Sequence, residues 1–147
     1  MSIRFTPNAR PTIGVEMELH LVDAITGELA SASNDILAEM GADHPGGEHP
    51  KAKHELFQST VEISTGVCDN PAQAGVDLRA TLAELRAAAE RRGLTLDSSG
   101  THPFGLAREH IVSPHQRYLD LVEDLQWPAR RMLICGMHVH VGVTDAR

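Results

Sequence analysis

The sequence predicts an α+β fold with a largely antiparallel sheet that carries helices on one face. The predicted strands alternate polar and apolar residues, which is typical of a sheet with one packed face and one open face. Strands and helices also alternate along the chain in the order β, short α, β, α, β, α, β. A doubly wound parallel sheet would require uniformly apolar strands and a glycine-rich phosphate loop, and the sequence shows neither.

The first third of the chain is predicted to form a long strand, a short helix and a loop. Residues 12–23 alternate cleanly between polar and apolar side chains, which indicates a half-buried strand. After a turn, residues 28–31 are expected to return as a second, short strand. Residues 34–40 are predicted to form a helix that ends at Gly41. Residues 41–54 combine glycine, proline and histidine, which predicts a loop with exposed histidines.

Two further strands flank the clearest helix of the sequence. Residues 55–65 resume the strand pattern, and residues 94–98 are predicted to form the next strand. Between them, Asn70 is a suitable N-cap, Pro71 suits the first helical turn and Gly93 suits the helix end. A stripe of apolar residues at helical spacing indicates the face that packs in the core. This stripe comprises Leu78, Leu82, Leu85 and Ala89.

The last part of the chain is predicted to contain one more helix and the final strand. Ser113 and Gln116 have the spacing of a capping box. A helix is therefore expected from about Pro114 to Leu125. Residues 132–143 alternate again and are predicted to form a strand.

Composition restricts the classes of function open to the chain. Its 147 residues suit a single domain, 1–147, and the low aromatic content of 3% predicts an aliphatic core. The net charge of −7 and the scattered basic residues argue against nucleic acid as a partner. No apolar run is long enough to cross a membrane, and residues 1–7 lack the apolar core of a signal peptide. With two cysteines, Cys68 and Cys135, the sequence favours a cytoplasmic protein without disulfides.

Acidic residues and histidines occupy the polar positions of three predicted strands. They are Glu16, Glu18 and His20 in the first strand, Glu55 and Glu62 in the second, and His138 and His140 in the last. Since successive side chains of a strand point to opposite faces, the first and last sets each share one face. Glu55 and Glu62 are an odd number of positions apart, so a bulge or a turn must redirect one of them. If these strands are neighbours, four carboxylates and two imidazoles converge on one surface.

Such a surface is suited to divalent metal ions that carry phosphates. Two carboxylates about 4 Å apart repel by roughly 4 kcal/mol at an effective dielectric constant near 20, so clustering is unfavourable without a cation. Mg²⁺ prefers oxygen ligands and commonly shares its coordination shell with substrate phosphates. A site rich in carboxylates and poor in imidazoles therefore predicts Mg²⁺ or Mn²⁺ in preference to Zn²⁺.

Other interpretations of the same residues stay open at this point. Any one strand could simply expose Glu and His to water, and it is the occurrence of three such strands that favours a site. His138, His140 and a carboxylate could instead serve a metal-dependent hydrolase, or the surface could bind metal without catalysis. Arg117 could bind a carboxylate or phosphate through two hydrogen bonds, or form an ordinary surface ion pair. Residues 101–104 could form a loop that faces the substrate.

Five segments, taken together, resemble the carboxylate–amine ligases of the glutamate–cysteine ligase type 2 family. They are residues 12–19 (TIGVEMEL), 59–67 (STVEISTGV), 100–104 (GTHPF), 117–118 (RY) and 135–142 (CGMHVHVG). Their order and rough spacing match, and the resemblance extends from about residue 12 to the end of the chain. Members of that family are more than twice as long, so the chain is expected to be an incomplete, N-terminal part of the catalytic domain.

The resemblance implies a fold like that of glutamine synthetase and a defined chemistry. ATP would phosphorylate the side-chain carboxylate of glutamate, and the amine of cysteine or another amine would displace phosphate from the acyl phosphate. The implied ligands of the Mg²⁺ or Mn²⁺ ions that bridge the ATP phosphates are Glu16, Glu18, Glu55, Glu62 and His138. By the same resemblance, His140 is expected to contact phosphate or substrate. Arg117 resembles a family arginine that faces the transferred phosphoryl group. Catalysis is expected to need the missing half, and an open sheet edge favours self-association into a homo-oligomer.

Overall fold

One long strand organises the structure, a computed structural model that describes residues 5–145. This strand, β1 (Thr12–Asp23), is paired along both of its edges. The other helices and strands are α1 (Ser33–Gly41), β2 (Ala52–His54), β3 (Thr60–Ser64), α2 (Pro71–Glu90), β4 (Leu94–Asp97), α3 (Gln116–Leu125) and β5 (Met137–Gly142). The predicted α+β class with an antiparallel sheet is confirmed. Residues 1–4, part of the segment in which no signal peptide is predicted, lie outside the described residues, as do residues 146 and 147.

The five strands are all paired antiparallel around β1. β3 lies along one edge of β1, and Glu18 stands opposite Glu62 there. β4 and β5 follow one another along the other edge, where Glu16 stands opposite His138 in β5. β2 extends the sheet beyond β3 and places Lys53 opposite Glu62. Between residues 5 and 145, β5 has no strand partner on its outer edge.

The apolar face of the sheet packs against α1 and α2 in the main hydrophobic core. The buried residues of this core are Leu19, Leu21, Ile36, Leu37, Ala52, Val61, Ile63, Leu85, Ala88, Ala89 and Leu94. Leu78 and Leu82 pack against it, which confirms the stripe predicted for α2. The predicted cap is also confirmed, because the Asn70 side chain accepts a hydrogen bond of 3.0 Å from the Gln73 N–H. Among the helices of the described chain, none has the length and apolar character that a membrane span requires.

The third helix packs in a second, smaller hydrophobic cluster. Its buried members are Leu56, Phe57, Tyr118, Val122, Ala129 and Leu133. The N-cap position of α3 is His115, without a side-chain capping hydrogen bond. The capping box predicted at Ser113 is therefore wrong, because the Ser113 hydroxyl instead donates a hydrogen bond to the carbonyl of Glu55.

Three predicted strand segments are shorter than predicted. β3 begins at Thr60, because the apolar residues of segment 55–59 pack with α3 in the second cluster instead of continuing the sheet. β5 begins at Met137, because Leu133 packs in the second cluster and Ile134 forms only an isolated bridge to Thr101. Residues 28–31 form only a single bridge to β1.

The loop predicted over residues 41–54 is more ordered than expected. It contains β2, which joins the sheet, and a short 3₁₀ helix. His49 is buried, and its Nε2 lies 3.3 Å from Oε2 of Glu84 in α2. The prediction of exposed histidines is therefore wrong for His49, because this part of the loop folds against α2. His44 and His54 are half-buried.

Candidate metal and phosphate site

Three carboxylates converge on the polar face of the sheet. Glu18, Glu55 and Glu62 each offer one oxygen, and these three atoms all lie within 4.8 Å of one another. Glu18 and Glu62 are directly opposite in the β1–β3 pair, so their side chains share a face. Glu55 joins them because it lies before β3, in the segment where the chain turns. These three residues are called the carboxylate cluster below.

Hydrogen bonds orient two members of the carboxylate cluster. The Gly136 N–H donates to Oε2 of Glu18 over 2.8 Å. The Leu56 N–H donates to Oε2 of Glu55, also over 2.8 Å, and the Tyr118 hydroxyl lies 3.5 Å from Oε1 of Glu55. Hydrogen bonds from backbone N–H groups to ionised carboxylates are strong, so these two side chains are held in place by the protein itself.

Burial and mutual repulsion favour the protonated forms of two cluster members. Burial raises the pKa of Glu55 despite the hydrogen bond from the Leu56 N–H, and the charge of Glu18 raises it further. Burial is also the main cause of the raised pKa of Glu62, followed by the charges of Glu16 and Glu55. A cation at this point would stabilise the ionised forms and so reverse both effects.

Glu16 lies beside the carboxylate cluster and contacts both histidines of β5. Its Oε2 is 3.0 Å from Nε2 of His140 and 3.9 Å from Nδ1 of His138. Both imidazoles are mostly exposed, whereas the Glu16 side chain is 31% exposed. The structure therefore brings Glu16, His138 and His140 to the same face as the cluster, next to the group of three oxygens.

Arg117 lies in the first turn of α3, close to Glu55. Its guanidinium carbon is 4.5 Å from the centre of the Tyr118 ring. Its positive charge acts on Glu55, where it opposes the rise in pKa caused by burial. Arg117 is exposed and makes no ion pair with any residue from 5 to 145, so its hydrogen-bond donors are available to a ligand.

Two other candidate residues from the sequence are buried. His20 is completely buried, with Nδ1 3.5 Å from Oγ1 of Thr60, and burial lowers its pKa. Nε2 of His102 lies 2.8 Å from the carbonyl oxygen of Gly27, and Nδ1 accepts a hydrogen bond of 2.9 Å from the Gly105 N–H. Since both ring nitrogens of His102 are engaged, this side chain ties its loop to the turn that follows β1.

Two neighbours of the site were missed by reasoning from the sequence. Lys53 lies opposite Glu62, but it belongs to a segment that was predicted as a loop. Cys135 is half-buried beside Glu18, and burial, with the nearby carboxylates, raises the pKa of its thiol to about 12. Only Cys135 could have been placed near the site from the sequence, because it directly precedes Gly136 in the CGMHVHVG segment.

The sequence matches Glutamate-cysteine ligase family 2 over residues 12–147. The chain belongs to this family. The match confirms the resemblance seen in the five segments, and it includes all the proposed site residues. The family's chemistry is therefore the first to test against the geometry described above.

Several relatives in the family cover nearly all of this chain. "Putative glutamate--cysteine ligase 2" of Thermobifida fusca is 46% identical over 145 residues, which are 99% of this chain and 36% of that protein. "Putative glutamate--cysteine ligase 2-1" of Frankia casuarinae is 47% identical over 146 residues, 99% of this chain and 38% of that protein. A protein of the same name from Arthrobacter sp. is 43% identical over 151 residues, 100% of this chain and 39% of that protein. The chain thus spans little more than a third of the length of these relatives.

Proposed function

We propose that the complete protein is an ATP-dependent carboxylate–amine ligase of the glutamate–cysteine ligase type, and that this chain supplies much of its metal-binding face. The observation that carries the proposal is the convergence of Glu18, Glu55 and Glu62 within 4.8 Å, in a member of this family. The reaction would join the side-chain carboxylate of glutamate to the amine of cysteine or another amine. Because the relatives are nearly three times as long, the proposal concerns the complete protein.

The carboxylate cluster is suited to a hard divalent cation such as Mg²⁺ or Mn²⁺. Oxygen ligands about 2.1 Å from an octahedral ion lie about 3 Å apart when adjacent and about 4.2 Å apart when opposite. The observed oxygens all lie within 4.8 Å of one another, so small side-chain movements would give this geometry. The donors are all carboxylate oxygens, the type that these ions prefer. Bound there, such an ion would neutralise charge on the phosphates of ATP.

The neighbours of the carboxylate cluster suit further contacts to metal and phosphate. We assign Glu16 and His138 as additional metal ligands on the β5 side. His140, 3.0 Å from Glu16, would contact phosphate or substrate. The guanidinium of Arg117, which makes no ion pair within residues 5–145, would bind the transferred phosphoryl group through two hydrogen bonds and stabilise its charge.

These roles fit a reaction in two steps. An oxygen of the glutamate side-chain carboxylate would attack the γ-phosphorus of ATP, and ADP would leave. The amine would then attack the acyl carbon and give up one proton, and phosphate would leave as the carbon–nitrogen bond forms. Phosphoryl transfer of this kind depends mainly on positioning and charge stabilisation, which a cluster of carboxylates, imidazoles and an arginine can provide.

Thermal melting of the chain tests the proposal. We expect Mg²⁺ and ATP together to raise the melting temperature by more than the sum of their separate effects, because each ligand strengthens binding of the other. The double variant Glu16→Gln, Glu18→Gln should lose this synergy and keep the fold, whereas Glu123→Gln on the exposed side of α3 should behave like the parent. In the complete protein, release of ADP should require both glutamate and an amine.

Two other outcomes would contradict the proposal. Turnover without nucleotide, together with tight binding of a transition metal, would indicate a hydrolase that uses His138 and His140. Stabilisation by Mg²⁺ with no additional effect of ATP would indicate a surface that binds metal without catalysis.

A further inference from the structure

A cavity of about 520 Å³ lies next to the carboxylate cluster. Its wall is formed by β2, by the segment that precedes β2 and by the beginning of α3; we call it the β2–α3 cavity. The polar residues that matter here are Lys53, His54, His115 and Arg117, together with Glu48. Cavities of this volume are typical of sites for small molecules.

Two cationic side chains and one carboxylate line the β2–α3 cavity, although the protein has a net charge of −7. Lys53 and Arg117 both line it, and within the described part of the chain neither makes an ion pair. The single carboxylate in the wall is that of Glu48. Lys53 acts on Glu62 and Arg117 acts on Glu55, so the carboxylate cluster offsets part of their charge. Because neither cation forms an ion pair within the described residues, an anionic ligand could still pair with them.

Two imidazoles add hydrogen-bonding capacity to the same wall. The rings of His54 and His115 are stacked at a tilt, with centres 4.4 Å apart. Nδ1 of His54 is buried and has no hydrogen-bond partner within the described residues. A buried polar atom without a partner is unfavourable, and a side-chain movement that opens Nδ1 to the cavity would let a bound ligand satisfy it.

The β2–α3 cavity adjoins the carboxylate cluster. Lys53 stands opposite Glu62 across the β2–β3 pair. On the other side, the Tyr118 hydroxyl lies 3.5 Å from Oε1 of Glu55, and the charge of Arg117 acts on Glu55. A small molecule with one end in the cavity can therefore place its other end at the cluster.

We propose that the β2–α3 cavity binds the α-carboxylate of an acidic amino-acid substrate, with Lys53 as the main cation and His54 and His115 as hydrogen-bonding partners. The inference rests on the proposed function. In such a ligase the metal-binding carboxylates serve the polyphosphate of ATP, so the amino-acid substrate needs cations from the protein itself. Its α-carboxylate would occupy the cavity, and its side-chain carboxylate would point to the carboxylate cluster.

Calorimetric titration of L-glutamate into the chain, with saturating MgCl₂ and without nucleotide, tests this inference. We expect the parent to bind, and Lys53→Gln to bind at least tenfold more weakly. Arg79→Gln, which removes the same charge from an exposed position of α2, should leave the Kd unchanged. Melting curves show whether each variant is folded, and His115→Gln, at an exposed position, provides a second variant that should also weaken binding.

Related ligands separate the proposed occupant from other anions. L-Glutamine keeps the α-carboxylate and should bind within a few-fold of L-glutamate, whereas 4-aminobutanoate lacks it and should bind at least tenfold more weakly. If pyrophosphate competes with L-glutamate and its binding depends more strongly on Lys53, the cavity is a phosphate site and the inference is wrong. It is also wrong if the parent does not bind L-glutamate, or if Lys53→Gln binds it as the parent does.

The outcomes for the cavity and for the proposed function can be told apart. Loss of the Mg²⁺–ATP synergy with retained, Lys53-dependent binding of L-glutamate would contradict the proposed function and leave the anion site in place. If the Mg²⁺–ATP synergy is retained but Lys53→Gln binds L-glutamate as the parent does, only the cavity inference is contradicted.

Discussion

Replacing Glu62 by Gln should stabilise the metal-free protein and weaken its response to Mg²⁺. The substitution keeps the size of the side chain and removes one charge from three carboxylates whose oxygens lie within 4.8 Å of one another. At that separation each pair of charges repels by about 3.5 kcal/mol at an effective dielectric constant of 20. Glu62 is partly exposed and its pKa is raised, so solvent screening and partial protonation reduce the net gain to on the order of 1 kcal/mol.

The expected gain corresponds to a measurable shift in melting temperature. For a chain of this size, about 1 kcal/mol raises the melting temperature by roughly 3–5 °C. With Mg²⁺ the variant should melt at a lower temperature than the parent. The parent offers three anionic ligands and the variant only two, so bound metal stabilises the variant less. The melting temperature of Glu62→Gln should thus lie above that of the parent in EDTA and below it at saturating Mg²⁺.

Differential scanning calorimetry at pH 7.5, with EDTA and with MgCl₂, measures both effects. Glu123→Gln is the matched control, since it removes the same charge from an exposed position of α3. Glu123→Gln should show the same difference in melting temperature between EDTA and MgCl₂ as the parent. A lower melting temperature for Glu62→Gln in EDTA, or an undiminished response to Mg²⁺, would refute the reasoning that these carboxylates repel one another and bind a shared cation.

Three further predictions concern the scaffold that holds the site. Asn70→Ala should lower the free energy of unfolding by about 1 kcal/mol in urea titrations, because the helix loses its N-cap hydrogen bond. Leu85→Ala should lower it by about 2–5 kcal/mol, since Leu85 is completely buried, whereas Val76→Ala, at a side chain 63% exposed on the same helix, should change it by less than about 0.5 kcal/mol. Hydrogen bonds from the Lys51 side chain and a backbone N–H lower the pKa of Asp77 from 3.8, so its unfolded form takes up a proton at higher pH than its folded form. The stability that ionised Asp77 gives to the fold is therefore complete well above pH 3.8 and is lost below it. In melting curves, Asp77→Asn should destabilise the protein at pH 7. This loss of stability should become smaller as the pH falls below 3.8.

Local regularity in the sequence was sufficient to predict the main elements of the fold. The alternation in residues 12–23 predicted β1, and the helical spacing of Leu78, Leu82 and Leu85 predicted the packed face of α2. These patterns depend on the backbone periods of strand and helix, which each segment carries by itself. The shared face of Glu16 and Glu18 follows from the same rule.

The contribution of Glu55 to the carboxylate cluster could not be predicted with the same certainty. Its odd spacing from Glu62 indicated only that some turn or bulge was needed. The turn arises because Leu56 and Phe57 pack with α3 in the second hydrophobic cluster, so that β3 starts at Thr60. That packing joins parts of the chain that lie far apart in sequence.

The sequence by itself determined β1, the long helix, the family and the side chains that share a face within one strand, because these depend on neighbouring residues or on motif identity. Tertiary structure alone decided that Glu55 reaches Glu18 and Glu62, that His102 pairs with the Gly27 carbonyl, and that Lys53 and Arg117 border one cavity. Strand register and the packing of α3 set these distances, and both arise from contacts between residues that no local pattern connects.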